Sequence, residues 1–196
     1  MELKIPYKDK KIEGAIAFFT SKHKEATKEN LSQTALYKYL AFFDFRSLEE
    51  SGQPALGLTY VAMQYGPVPR EIYIEKKYRE SEYYKFTEDK DTKSVTIIPT
   101  SKKSDYLDYL SKYDIELMGN LIEIFAKNWI TARIMSDASH DRGGGIKAWR
   151  KTWKKNPNSI IDMADTFDNF NHKSYENGNM TAAEEHFYIY QKLHGI

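Results

Sequence analysis

Apolar residues recur at helical spacing in several separate blocks of this chain, and the polar stretches between them mark where elements end. Ile12, Ala15, Ile16 and Phe19 share one face of a first amphipathic helix, which the polar stretch Ser21 to Asn30 interrupts. Asn30 and Ser32 are both suited to cap the next helix. From Ala35 to Leu48 the chain is apolar almost all round, with Leu36, Leu40 and Phe43 as predicted core residues. A helix with so little polar face is a central one. It should stop near Gly52, with Pro54 just beyond.

Gly57 to Tyr65 carries β-branched and aromatic residues and reads as a short strand, closed by a rigid turn at Gly66-Pro67-Val68-Pro69. Pro69 suits the first position of a helix carrying Ile72, Tyr73 and Ile74. Tyr83 to Thr87 and Ser94 to Thr100 read as two strands joined by the charged turn Glu88 to Lys93, with Pro99 near the end or at an edge. Ile115, Met118, Leu121, Ile122, Phe125 and Trp129 give the cleanest helical periodicity. Thr131 to His140, Ile146 to Lys155, Ser159 to Phe170 and Ala182 to Leu193 predict four more helices. The last opens with Thr181 and Glu184 in capping-box spacing, after the Asn177-Gly178 turn. The fold class is therefore α+β, predominantly α-helical, with a small two- or three-stranded antiparallel sheet.

Composition narrows what such a domain does. The chain has no cysteine, which removes disulfides, thiolate-bound zinc and cysteine nucleophiles and suits a reducing, cytoplasmic setting. No apolar run approaches the roughly 20 residues of a membrane span, and Met1 to Lys11 is too polar for a signal peptide. With 29 basic against 28 acidic side chains, a whole-surface attraction to nucleic acid is absent, so such binding needs a local patch. The 15 Tyr and 10 Phe are unusually dense, which an amphipathic surface for a protein partner explains as well as a generally Tyr-rich core and surface does.

Catalytic and metal-binding constellations do not emerge. Ser139-His140-Asp141 names the members of a triad, but neighbours on one helix point different ways, so a structural role for His140 is the better reading. The histidines are scattered, and Asp162, Asp165 and Asp168 lack the turn-rich loop a hard cation needs; they read as a solvated acidic face. Gly143-Gly144-Gly145 lacks the lysine and hydroxyl of a phosphate loop. No cofactor and no metal are expected. Asp44, flanked by Phe43 and Phe45 in the most apolar helix, must find a hydrogen-bond partner or a cation far along the chain, because unpaired burial costs several kcal/mol.

One constellation stands out. Lys147, Arg150, Lys151, Lys154 and Lys155 fall on one helix face, with Ile146, Trp149 and Trp153 beside them. This helix either grips a partner, with tryptophan anchors, or docks its tryptophans on the core while the acidic segment that follows neutralises its charge.

The run Leu36-Tyr37-Lys38-Tyr39-Leu40-Ala41-Phe42-Phe43-Asp44-Phe45, then Glu50-Ser51-Gly52-Gln53-Pro54, Gly57-Leu58-Thr59-Tyr60 and Tyr65-Gly66-Pro67-Val68-Pro69, resembles the Panacea domain, a phage-associated family. Ser139-His140 and Ala148-Trp149 resemble its later Ser-His and Ala-Trp segment. The resemblance covers about Leu31 to Trp153 of a single domain spanning 1–196, with 154–196 as a helical C-terminal extension; three glycines between Arg142 and Lys147 depart from the pattern. It implies an antitoxin that binds a cognate protein toxin, or an adaptor that hands the toxin to a cytosolic protease. A nucleic-acid regulator using the basic helix is the remaining alternative. Asp44, Tyr60, Tyr65, Gly66, Pro67, Pro69 and His140 would then be structural, and Lys147, Trp149, Arg150, Lys151, Trp153 and Lys154 the partner-binding candidates.

Overall fold

The computed structural model describes residues 5–100 and 105–195, so Met1 to Lys4 of the N-terminal stretch lie outside it. Among the described residues the chain forms seven α-helices and two small antiparallel sheets, an α+β fold that is mostly helical. None of these helices is long and apolar enough to cross a membrane.

The first helix, α1 (Lys8–Thr27), continues through most of the polar stretch predicted to break it and ends inside that stretch, at Thr27. Thr20, His23 and Thr27 are buried there, so its polar residues continue the inner face. A two-residue strand β1 (Leu31–Ser32) leads into α2 (Gln33–Ser51), whose N-cap is Ser32: its hydroxyl accepts from the Ala35 N–H. Gly52 ends α2 at φ +77°, a left-handed conformation that favours glycine. Leu36, Leu40 and Phe43 are all fully buried, and α1, α4 and α5 pack around α2, which is thus the central helix its composition predicted.

The strands β4 (Tyr84–Glu88) and β5 (Val95–Pro99) form the expected hairpin, with β1 added on the far side of β5. Pro99 stands at the end of its strand. The expected strand near residue 60 joins a separate sheet. There β2 (Tyr60–Met63) pairs with β3 (Gly66–Pro69), so Gly-Pro-Val-Pro is a strand and not the rigid turn predicted, and the turn itself is Gln64-Tyr65. The register explains how two prolines fit. Ala62 and Tyr60 direct their backbone groups away from β3, to Ser159, Asn158 and Ile161. Their partners Pro67 and Pro69 therefore sit at positions whose N–H would also face outward, where its loss breaks no ladder bond. Pro69 stands at the N-cap position of a one-turn helix α3 (Arg70–Tyr73), one residue before the first helical position expected for it, and supplies no side-chain cap.

In the second half, α4 (Lys112–Phe125) opens on a capping box from Ser111 and Asp114 and stops at Ala126. Trp129 continues its apolar spacing on paper but stands outside the helix, 67% exposed. The helices α5 (Ala132–His140), α6 (Lys147–Lys155) and α7 (Ala182–His194) match their predicted places, α7 with the Thr181–Glu184 capping box. Ser159 to Phe170 is not a helix. Ile160 bridges Val61, and two short 3-10 turns follow at Met163–Thr166 and Phe170–His172. Pairing with the free side of β2 outweighs the local helical spacing of Ile161, Ala164 and Phe167.

Candidate functional site

The residues that carry the motif converge on two buried polar fastenings around α2. The first is Asp44, fully buried on that helix. Its carboxylate accepts from the N–H groups of Leu56 (2.6 Å), Gly57 (3.1 Å) and Leu58 (3.2 Å), and from the Tyr60 hydroxyl (3.0 Å). Burial pushes this carboxyl up, and the four donors oppose that push. A group surrounded by four donors must act as the acceptor-only carboxylate. Burial likewise pushes the Tyr60 hydroxyl up, helped by the Asp44 charge, so it stays protonated and donates. The next N–H, of Thr59, donates to the Glu71 carboxylate at 3.0 Å. Asp44 and Glu71 thus satisfy every backbone donor from Leu56 to Thr59, and this loop delivers the chain from α2 into the β2–β3 hairpin. Distant partners for Asp44 were the expectation, and the structure supplies them 12 to 16 residues away.

The second fastening is Lys38, which the motif contains but whose burial no sequence argument raised. It is 1% exposed, and its ammonium donates to the Pro67 carbonyl at 3.3 Å. That carbonyl lies on the outward edge of β3, where proline has left acceptors without neighbouring donors. No carboxylate pairs with Lys38 among the described residues, and burial pushes its pKa down to about 7. Gly66 closes over it at φ +105°; a Cβ there would come within 2.6 Å of Ser139 Oγ and 2.7 Å of Lys38 Nζ. The signal was the one used for Asp44, a charge inside an otherwise apolar helix.

The later segment seats on the same hairpin. Trp149 is buried, donates from Nε1 to the Met63 carbonyl at 3.0 Å, and stacks on His140 at 3.9 Å. Burial lowers the His140 pKa, and the nearby Lys38 adds to that. Ser139 is fully buried and donates to the Ser136 carbonyl, while Asp141 accepts from the Gly143 and Gly144 N–H groups. The three neighbours thus point into three different structural roles. Tyr65, at the hairpin tip, is 54% exposed beneath the Arg133 guanidinium.

The basic helix divides along its length. Lys147 pairs with Asp168, and Lys151 pairs with Asp165 at 3.3 Å. Arg150 donates to the Asp141 carbonyl. Asp162 caps the first 3-10 turn by accepting from the Ala164 N–H, so the three aspartates do not form one helical face. Trp153 is half-buried and stacks on Trp149 at 5.9 Å, and Lys154 is exposed. Elsewhere a half-open groove of about 1170 Å³ lies between the start of α1, the Asp44-bound loop and α7, lined by Ile5, Leu58, Ile160 and Tyr190 among others.

One apolar helix thus carries two buried charges that pin a proline-edged hairpin, on which a tryptophan helix is seated. Residues 36–145 match the family model described as antitoxin SocA-like, Panacea domain, and the chain belongs to that family. No curated protein and no solved structure matches the chain.

Proposed function

We propose that this protein is an antitoxin that neutralises a co-encoded protein toxin by binding it directly. The observation that carries the reading is membership of the antitoxin family over more than half of the chain. The internal geometry supports it. Three of the motif's polar groups face inward: Asp44 holds the 56–58 loop, Lys38 holds Pro67 and Trp149 holds Met63. A hairpin pinned in this way presents outer side chains with little entropy left to lose on binding.

Expression of this protein is expected to restore growth to cells producing the product of the adjacent open reading frame, in proportion to its dose. Growth that stays arrested at excess antitoxin would refute the proposal. The nucleic-acid alternative has less support, because Lys147 and Lys151 are already paired with carboxylates and are not free for phosphates.

A further inference from the structure

The far end of α6 differs from its beginning. Its first cations are engaged, Lys147 with Asp168, Lys151 with Asp165 and Arg150 with a backbone carbonyl. The aspartates of the following segment are therefore used up before the last turn is reached. Lys154 and Lys155 are exposed, and among the described residues neither has an acidic or carbonyl partner. Trp153, next to them, is partly buried against Trp149 and the core and keeps part of its ring accessible, with no acceptor for its indole N–H among the described residues. The exposed turn that follows ends on Ile160, 55% exposed. Arginine and tryptophan dominate binding energies at protein interfaces, and lysine clusters set the charge that a partner must match.

We infer that the last turn of α6, with Trp153, Lys154 and Lys155, is the surface that docks the toxin, and that the toxin presents carboxylates around an apolar pocket there. This rests on the antitoxin reading above. Charge complementarity selects the partner: two adjacent cations without a counterion on their own chain attract an acidic surface and repel a basic one. The stacked Trp149–Trp153 pair holds the indole in place before contact, so little side-chain freedom is lost on docking. Trp149, earlier on the same helix, belongs to the motif that seats on Met63, whereas the last turn lies beyond residue 145, where the match to the family model ends.

The test is calorimetric titration of the purified full-length protein with the purified product of the adjacent open reading frame, at low and at high salt. The double variant K154E/K155E is expected to weaken binding at low salt tenfold or more and to flatten or invert its salt dependence. A charge-matched control, K90E/K112E, reverses two exposed lysines elsewhere and should change affinity less than threefold. W153A should also weaken binding at least tenfold while its circular dichroism remains that of the folded protein. Full affinity in K154E/K155E, or equal losses in the control, would overturn this surface while leaving the antitoxin reading standing. No complex with the unaltered protein would overturn both. Salt-sensitive binding of duplex DNA that K154E/K155E abolishes, without toxin binding, would assign the surface to nucleic acid instead.

Discussion

Replacing Asp44 by alanine is expected to destabilise the protein by about 3–6 kcal/mol, because several buried donors lose their acceptor together. The substitution removes the acceptor for three backbone N–H groups and for the Tyr60 hydroxyl at once. Each buried donor left without an acceptor costs about 1–3 kcal/mol, and water has no easy route to a site that is fully buried. Against a typical domain stability of about 5–15 kcal/mol, the variant should accumulate as insoluble or protease-sensitive protein. Asp44→Asn keeps one acceptor oxygen but sets an NH2 group against N–H donors, so it should fall between the two. Urea unfolding followed by circular dichroism measures all three proteins. A loss below about 1 kcal/mol in D44A would mean that the 56–58 loop is held by something else.

Lys38→Met is expected to work in the opposite direction, and only over part of the pH range. The folded-state pKa of Lys38 is pushed by burial to about 7, below its ordinary 10.5. Below pH 7 both the folded and the unfolded chain carry the proton, and the cost of the buried charge is present in full. As pH rises from 7 to 10.5 the unfolded chain binds the extra proton, stability climbs with pH, and the cost disappears. Methionine has a similar volume and no charge, so K38M should be more stable by about 3–5 kcal/mol at acidic pH, less the lost bond to Pro67. The advantage should shrink steadily above neutrality. Equilibrium unfolding of both proteins across that range gives the difference directly; a K38M that is weaker at every pH would show that the ammonium is well satisfied where it lies.

Much of this fold is legible in the sequence because its strongest signals are local. The apolar run from Ala35 to Phe45, the Ser32 and Thr181 caps and the Gly52 stop each act within one or two turns of helix. The misread segments are those where distant pairing decides. Ile160 and Ile161 have helical spacing with Ala164 and Phe167, yet Ile161 donates to Tyr60 across 101 positions of chain, 161 − 60, and no local pattern contains that bond. Pro67 and Pro69 argue for a turn until the register shows their missing N–H groups facing away from β2. Trp129 carries on the spacing of α4, but the helix ends at Ala126 first. At the site, Asp44 is legible as a charge requiring distant partners, and Lys38, a charge among aromatic neighbours on the same helix, carries the same signal. The division of the basic helix into a paired and an unpaired half depends on Asp165 and Asp168 leaving the helical path, which spacing cannot show.

The central claim is neutralisation by direct contact. Its most direct test mixes the purified protein with the purified product of the adjacent open reading frame, measures the mass of the mixture by light scattering after size exclusion, and assays residual toxin activity in the same fractions. The account predicts one complex of fixed stoichiometry, with activity falling to zero at the point where free toxin disappears. Toxin activity abolished in fractions where the two proteins elute separately would contradict it.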